Sequence, residues 1–228
     1  MLQRWESVSF VHWSYEPAGV GTLLPPGLVV DTFDDRAWVS MVAFFVKARL
    51  PFLPAFPPLT YFAQVNVRTY VIGPQRLRGL WFLSLDADSL GAALAGRLIY
   101  DVPFHWSRTS VSRSTDTIDY SSQRRANPSA GTKATVETLE PFRTGDLDAL
   151  STFLTDRYLM FAGSSDRLMT ASVTHRPWPL HRARLRSIDD RLLSSAGLET
   201  PGTPQLAHWS PGVLARINLP RTLPRPPA

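Results

Sequence analysis

The order in which strand-like and helix-like segments follow one another constrains the fold of this chain more than any other sequence feature. Most segments are short runs rich in β-branched and aromatic residues, separated by turns, which is typical of strands. Helical segments are few and do not alternate with the strands as they do in βαβ units. We therefore predict an α+β, mainly β domain, built as an antiparallel barrel or sandwich whose mouth would admit a ligand.

Hydrophobic periodicity and turn residues place the individual elements. Predicted strands occupy a hairpin turning at Asp34-Asp35 (27–46), two consecutive runs (61–72 and 79–87), a second hairpin (117–125 and 132–141) and three later runs (167–175, 181–188 and 212–220). Predicted helices occupy 88–100, with Asp88 as the N-cap, 145–161, and a short segment within 188–197. The proline-rich stretch 47–60 predicts a long loop, because proline lacks the backbone donor that a strand needs.

Length and composition predict one folded unit. The chain has 228 residues, of which 44% are hydrophobic, enough for one sizeable core. We expect a single domain over 1–220 and a disordered proline-rich tail over 221–228. The absence of cysteine excludes disulfides, thiolate metal sites and a cysteine nucleophile. Because the sequence has no signal peptide and no run of about 18 apolar residues, we expect a cytoplasmic protein with no membrane segment.

Charge and motif content exclude several classes of function. The net charge is +5, but the 22 arginines and two lysines are scattered among acids, with one basic block at 181–186. A nucleic-acid partner is therefore not expected. Phosphate-loop, dinucleotide, zincin and nucleophile-elbow motifs are absent from the sequence. The five histidines lack metal-ligand spacing, so neither a metal nor a cofactor is predicted.

Six phrases of the sequence occur in the order found in one known family. They are FVHWSYEP (10–17), LLPPGLVVDTFDDRAWVSMVAF (23–44), NVRTYV (66–71), WFLSLDA (81–87), FLTDRY (153–158) and HRPWPL (175–180). On these phrases the chain resembles the YqjF-like family, a domain of unknown function, over about residues 5 to 180. One position departs from the family pattern, because Gln64 stands where the family usually has an acid.

The YqjF-like family is similar, at the level of superfamily, to acetoacetate decarboxylase. This resemblance implies a closed or cone-shaped antiparallel β-barrel with a few flanking helices. The decarboxylase forms a Schiff base on a lysine within a Gly-Arg-Glu…Pro-Lys-Lys segment. In the segment GRLIYDVPFH, Gly96, Arg97 and Pro103 match that pattern, whereas Phe104 and His105 stand at the two lysine positions.

The residues at these positions argue against imine chemistry. An imine requires a primary amine with a depressed pKa, and neither phenylalanine nor imidazole supplies one. The two lysines of the chain, Lys47 and Lys133, lie in a loop and a hairpin of the predicted fold. We therefore expect a pocket that works without a covalent nitrogen link. His105 becomes the candidate acid–base group, because imidazole titrates near neutrality; a core histidine bound to a carbonyl is the alternative.

A polar row in one predicted strand supplies the candidate anion site. Asn66, Arg68 and Tyr70 alternate along 61–72 and therefore share one face. Facing the barrel interior, the row would bind a carboxylate or stabilise an enolate. The alternative is that the valines between them face the core and the row faces water. Catalytic roles are thus predicted for His105, Tyr70 and Arg68.

Further side chains are predicted to bind substrate or to support the pocket. The predicted substrate-binding residues are Asn66, Arg97, Phe104, Ser84, Trp81 and His12. For Asp86 a cap on the following helix is favoured, and for Arg97 a pairing with Asp101 is the alternative. Arg157 and Tyr158 are expected to hold the second helix to the barrel. His175 is expected to end a strand, and Trp178 to pack in the core.

Two functions remain open at this point. The first is an enzyme acting on a small organic acid or ketone by non-covalent acid–base chemistry: enolisation, dehydration, aldol-type cleavage or cyclisation. The second is a non-catalytic ligand-binding protein of the same fold. Both imply a small-molecule carboxylate or ketone as partner, and whether the protein forms a homo-oligomer stays open.

Overall fold

The computed structural model of the protein describes residues 1–49, 60–143, 145–164, 167–199 and 202–223. Within these ranges the strands are β1 Leu2–Tyr15, β2 Val29–Val30, β3 Ala37–Arg49, β4 Tyr61–Ile72, β5 Arg78–Ala87, β6 Phe104–Arg113, β7 Thr117–Arg124, β8 Gly131–Pro141, β9 Leu159–Ser164, β10 Arg167–Thr174, β11 His181–Asp190, β12 Leu206–Ile217 and β13 Arg221–Thr222. The helices are α1 Pro17–Gly21, α2 Leu90–Ala95, α3 Ala149–Thr155 and α4 Leu192–Ser195. The mainly β composition is confirmed.

The strand pairings close the sheet on itself. From β5 they run through β6, β7, β8, β11, β12, β1, β3 and β4, and β4 pairs with β5 again. A second path joins β5 to β12 through β9 and β10. Both closed paths therefore include the strands β12, β1, β3, β4 and β5, which we call the common wall. The long strands of this wall face two separate interiors.

The prediction of a purely antiparallel sheet was wrong. β5 pairs in parallel with β6 near its C-terminal end, from Leu85 to Ala87, and with β9 near its N-terminal end, at Leu80 and Trp81. Parallel neighbours need a crossover connection. α2 lies in the connection from β5 to β6, which is why a helix interrupts the run of strands at that point.

Both faces of β3, one strand of the common wall, are buried along most of its length. In β3, Val39 and Met41 belong to a first hydrophobic cluster, whereas Val42 and Phe44 belong to a second. The first cluster extends to β7, β8 and α4, and the second to α2, β9 and β10. A strand covered on both sides reads as a continuous apolar run rather than an alternating one, as the stretch 37–46 does.

The helices are confirmed in place but differ in extent. α2 begins after Ser89, whose side chain accepts the amide N–H of Ala92, so Asp88 is not the cap. One π-turn, Gly96–Tyr100, continues α2. The predicted helix 145–161 is confined to α3, capped by Asp148, and the chain enters β9 at Leu159. Pairing with β5 and β10 takes these last residues away from the helix.

Two further predictions differ in detail. Asp34 and Asp35 form the predicted tight turn, both with positive φ, closed by the Phe33–Arg36 bridge. The run before the turn, however, pairs with β4 as β2 rather than with β3. At the C-terminus, Arg221–Thr222 pair with β10, whereas 224–228 lie outside the described residues, as do 50–59 of the predicted proline-rich loop.

Candidate functional site

The polar row of β4 lies inside the protein. Gln64, Asn66 and Tyr70 are buried, with Asn66 only 2% exposed, and Arg68 between them is partly exposed. Val65 and Val67, which alternate with them, are buried as well, on the side of the first hydrophobic cluster. The two alternatives considered above, that either the polar row or the valines face the interior, are therefore not exclusive. Both rows are covered, because β4 has buried residues on both faces.

Arg68 has no acidic partner among the described residues. The groups that interact with it are the Tyr70 phenol and the Phe10 ring, whose centroid lies 5.7 Å from the guanidinium carbon. Its Nε atom is buried, and no residue that the structure describes forms a hydrogen bond with it. Burial lowers the pKa of Arg68, and the neighbouring Tyr70 opposes this effect. An arginine in such surroundings is the side chain best suited to pair with a ligand carboxylate.

Asn66, two residues along the same face, has an unpaired oxygen atom in the described part of the chain. Its Oδ1 atom is buried and accepts no hydrogen bond from any described residue. Buried polar groups are nearly always hydrogen-bonded. An unpaired donor on Arg68 and an unpaired acceptor on Asn66, side by side, are complementary to a ligand that carries both a carboxylate and a hydroxyl or enol group.

A chain of side-chain hydrogen bonds lies beside Arg68. His12 Nδ1 is 2.7 Å from Ser40 Oγ, and His12 Nε2 is 3.1 Å from His208 Nδ1. His208 Nε2 is 3.0 Å from Ser151 Oγ in α3. At the other end, Ser40 Oγ is 2.6 Å from the Tyr70 hydroxyl. The chain therefore joins β12, β1, β3 and β4 to α3.

The Tyr70 hydroxyl group fixes the direction of this chain. It donates to the Leu154 carbonyl at 2.8 Å, so Ser40 must donate to Tyr70. His12 then donates from Nδ1 to Ser40 and accepts at Nε2 from His208, and His208 accepts at its own Nε2 from Ser151. Every bond is satisfied when both imidazoles carry a single proton.

The electrostatics agree with two neutral imidazoles. Burial, aided by His208 and Arg68, holds the pKa of His12 well below 6.5. Burial lowers the pKa of His208 to about 4, with Asp148 opposing and Arg182 reinforcing the shift. The predicted ligand-contacting residue His12 is thus placed in the interior, but both of its ring nitrogens are already engaged.

His175 has the free ring nitrogen that His12 lacks. Its Nδ1 is 2.7 Å from the Arg176 carbonyl, so Nδ1 carries the proton and Nε2 is left as an acceptor with no hydrogen bond inside the described chain. Its ring packs near Trp178, Tyr158 and Trp5, at centroid distances of 4.8, 4.9 and 6.0 Å. Burial lowers the pKa of His175, and Arg68 contributes to the lowering.

Aromatic rings connect His175 to Arg68. Phe10, which lies next to the Arg68 guanidinium, contacts Trp178 edge-on at 5.2 Å, and Trp178 stacks on Trp5 at 5.9 Å. Sequence reasoning missed His175, which was assigned only to the end of a strand. The signal that could have found it is HRPWPL, where the histidine precedes an aromatic residue held between two prolines.

The structure does not bring His105 together with Arg68. His105 pairs with Asp86 across the parallel β5–β6 ladder, whereas its neighbour Phe104 pairs with Leu85. Because successive residues of a strand point to opposite faces, Phe104 faces the second hydrophobic cluster while His105 faces away from it. Burial and the guanidinium groups of Arg124 and Arg97 lower the pKa of His105. The predicted His105–Tyr70–Arg68 trio is therefore divided between two faces of the sheet.

Ser84 and Asp86 belong to a buried ion-pair network rather than to a ligand pocket. Arg124 donates from Nε to Asp86 Oδ1 at 2.9 Å and from Nη2 to Ser84 Oγ at 2.7 Å. Ser84 and Ser107 donate to the two carboxylate oxygens of Asp86. The network joins β5, β6 and β7, so Asp86 does not cap α2 as favoured above.

The other predicted residues have structural environments. Trp81 packs with the outer cluster of Leu28, Val71 and Phe161, away from the Arg68 face. Arg97 donates to the Phe104 carbonyl at 2.5 Å rather than pairing with Asp101. The expected support role of Arg157 is confirmed, since Arg157 Nη2 and Asp31 Oδ2 form a buried pair at 2.9 Å. Trp178 packs against the second cluster, as expected.

Neither lysine ammonium is buried. Lys47 is half exposed and pairs with Glu6 Oε2 at 2.8 Å, and Lys133 is exposed on β8. In the ranges that the structure describes, no three His, Asp or Glu side chains form a cluster suited to a metal ion. None of the helices described above has the length and apolar character needed to cross a membrane.

Comparison with known proteins identifies the family of this chain. The model of the DUF2071 family, "Uncharacterized conserved protein", matches residues 2–214. The "Uncharacterized protein YqjF" of Bacillus subtilis (strain 168) is 30% identical over 211 residues, 92% of this chain and 87% of that protein.

Two solved structures have a similar fold at low sequence identity. One is "Enduracididine biosynthesis enzyme MppR complexed with the condensation product of pyruvate and imidazole 4-carboxaldehyde", with a TM-score of 0.71, 14% identity and coverage of 97% of this chain and 88% of that one. The other is acetoacetate decarboxylase from Legionella pneumophila, with a TM-score of 0.65, 12% identity and coverage of 98% and 88%. The fold is therefore that of acetoacetate decarboxylase-like enzymes.

Proposed function

We propose a function from the premise that this chain belongs to the DUF2071 family of uncharacterized conserved proteins. The protein is an enzyme with a closed, cone-shaped barrel whose interior binds a small 2-oxo or 3-oxo carboxylate. It acts by non-covalent acid–base chemistry, such as enolisation, dehydration, aldol-type cleavage or cyclisation, and needs no cofactor. Its similarity in fold to an enzyme solved with a pyruvate-derived ligand supports this substrate class.

The observation that carries the proposal is the partly exposed Arg68, whose Nε atom is buried and which has no acidic partner among the described residues. Desolvating a guanidinium group is costly unless an anion or several acceptors compensate. The Tyr70 hydroxyl and the Phe10 ring offer only partial compensation. A ligand carboxylate would complete the site, and the five donors of the guanidinium group can also reach an adjacent keto oxygen.

The role proposed for Tyr70 changes with its hydrogen bonds. Its proton is committed to the Leu154 carbonyl, so the phenol positions Arg68 instead of donating to an oxyanion. Arg68 itself stabilises the negative charge that develops on the keto oxygen. Asn66 accepts a hydrogen bond from a ligand hydroxyl or enol through its unpaired Oδ1.

His175 replaces His105 as the proposed proton acceptor. Its Nε2 removes a proton from the carbon next to the ligand carbonyl. The electron pair of that C–H bond forms a carbon–carbon double bond, and the π pair of the carbonyl moves onto the keto oxygen held by Arg68. The Arg176 carbonyl, bound to Nδ1–H, keeps the ring in the tautomer that this step requires. The lowered pKa of His175 keeps Nε2 unprotonated at neutral pH.

The proposed mechanism proceeds without a Schiff base. Phe104 occupies the inward position where the decarboxylase pattern has a lysine, and it packs in the second hydrophobic cluster. Lys47 and Lys133 are on the surface. Borohydride treatment with pyruvate or acetoacetate should therefore leave the protein mass unchanged, and a reduced adduct on either lysine would contradict this part of the proposal.

Binding of pyruvate, measured by isothermal titration calorimetry, tests the role of Arg68. We expect Arg68→Met to weaken binding by about tenfold to a hundredfold, because a charge-assisted hydrogen-bonded pair is lost. Arg108→Met is the matched control, since Arg108 is an exposed arginine of β6. Equal affinities for the wild type and Arg68→Met would refute the site.

Exchange of the pyruvate methyl hydrogens for deuterium, followed by proton NMR, separates catalysis from binding. The wild type should accelerate exchange, and His175→Gln should abolish the acceleration while pyruvate still binds. If the wild type binds pyruvate or acetoacetate without accelerating exchange, the alternative is favoured: a non-catalytic ligand-binding protein with the same interior site.

A further inference from the structure

A pocket lies beside α2, and Arg68 is not among the residues that line it. It has a volume of about 160 Å³ and is formed by α2, the first residues of β6 and the end of β7. His105 and Arg97, both predicted to serve the main site, line this pocket instead. A cavity of about 150 Å³ is large enough to hold a benzene molecule.

One side of this pocket is cationic. Arg97, Arg124 and Arg125 contribute to its lining. Arg97 has only the Phe104 carbonyl as a partner within the described chain. Arg125 is 3.8 Å from a carboxylate oxygen of Asp88, and both of these side chains are partly exposed.

Arg124 connects the pocket to the buried ion pair beneath it. Its side chain is only 9% exposed, and its Nε and Nη2 atoms bind Asp86 and Ser84. Its Nη1 atom has no hydrogen bond in the described part of the chain. Three guanidinium groups thus face two carboxylates, those of Asp86 and Asp88, and the excess positive charge suits an anion.

The other side of the pocket is apolar and exposed. Leu90 and Leu94, one helical turn apart on α2, are 46% and 49% exposed. Trp106, under the Arg125 guanidinium at 4.4 Å, is 41% exposed. Large apolar side chains in a concave wall beside a few charged groups are the combination found in small-molecule sites.

We propose that this pocket binds a small monocarboxylate with a compact apolar body the size of a phenyl ring or a branched short chain. The carboxylate pairs with Arg97 and Arg125 and reaches Arg124 Nη1. The apolar body lies between Leu94 and Trp106, and the half-buried His105 provides a hydrogen bond. The site is separate from the one proposed around Arg68 and does not depend on it.

Benzoate is the probe that matches this pocket in size and charge. We expect benzoate to shift the indole N–H resonance that Trp106→Phe removes from the ¹⁵N–¹H spectrum. Benzamide, the uncharged analogue of the same shape, should bind about tenfold or more weakly, because it cannot pair with arginine. An unshifted Trp106 resonance, or equal affinities of the wild type for benzoate and benzamide, would overturn the proposal.

Arginine variants test which side chains bind the benzoate carboxylate. Arg125→Met, at an exposed position, and the double variant Arg97→Met/Arg125→Met should weaken benzoate binding progressively, while Arg108→Met should not. Arg68→Met should leave benzoate binding unchanged even if it abolishes pyruvate binding, so the two sites fail independently. Loss of benzoate binding in Arg68→Met alone would place benzoate in the interior and refute the second site.

Discussion

At the scale of single residues, the interior of this protein is organised by a hydrogen-bonded chain with one direction. Ser151, His208, His12, Ser40 and Tyr70 each donate to the next group, and the last proton goes to the Leu154 carbonyl. Such a chain is fully satisfied only when both histidines are neutral. Adding a proton to either imidazole would reverse a bond and place a charge near Arg68.

The histidine pair therefore predicts a loss of stability in acid. The pKa of His208 is about 4 in the folded protein against 6.5 ordinarily, so the unfolded chain binds more protons between these values and stability falls as pH decreases through them. For His208 alone the loss at full protonation is about 3 kcal/mol. Urea unfolding at pH 8 and pH 4.5 measures it.

His208→Gln isolates this contribution. The substitution should lower the free energy of unfolding at pH 8 and reduce the difference between pH 8 and pH 4.5. Because the structural cost of the substitution is present at both pH values, it cancels from that difference. An unchanged difference would mean that other groups carry the acid sensitivity of the protein.

At the scale of elements, the contact between α2 and β6 fixes the position of Phe104 and of Arg97. Gly96 follows α2 and lies directly against Phe104, so a Cβ atom at residue 96 would come within 2.2 Å of the phenyl ring. Arg97, the next residue, donates to the Phe104 carbonyl. The Gly-Arg pair of the decarboxylase pattern thus has a packing role here that does not require the lysine.

Gly96→Ala should destabilise the protein by about 1–3 kcal/mol, because the ring of Phe104 is held in the second hydrophobic cluster and has little room to move. The same substitution in a Phe104→Ala background should cost markedly less. Gly19→Ala in α1 is the control, since an added Cβ there meets nothing within 4 Å. Equal costs in both backgrounds, measured by urea unfolding, would contradict the contact.

At the scale of the whole molecule, the five common strands tie the two closed paths of the sheet together. Each of the strands β1, β3 and β4 contributes side chains to both hydrophobic clusters. If these strands unfolded, the apolar side chains of both clusters would be exposed to water. A single domain over 1–220 stays a prediction, and this sharing favours it.

Heat denaturation should accordingly proceed as one transition. In differential scanning calorimetry we expect a single peak whose calorimetric and van't Hoff enthalpies agree, which is the signature of one cooperative unit. Met41→Ala in β3 and Phe161→Ala in β9, which lie in different clusters, should each lower the temperature of that single peak. Two separated peaks would show that the closed paths unfold independently.

Much of this architecture can be predicted from the sequence, because it depends on local patterns of residues. The strands at 61–72 and 79–87, the hairpin of β7 and β8 and the tight turn at Asp34-Asp35 follow from β-branched runs and turn residues. The family phrases imply the decarboxylase-like fold, and the comparisons agree with it. The length of α3 could not be derived, because the apolar spacing of its last residues suits a helix and a buried strand alike.

The residues of the candidate site also include some whose positions the sequence predicts and some whose positions it does not. The shared face of Asn66, Arg68 and Tyr70 could be predicted from the sequence, because side chains alternate between the two faces of a strand. The directions in which Phe104 and His105 point could not be predicted in this way. Adjacent strand residues face opposite sides, so one step of register in the parallel pairing of β6 with β5 decides which of the two enters the interior. That pairing joins segments connected by a helix, and only the packing of the whole sheet selects it.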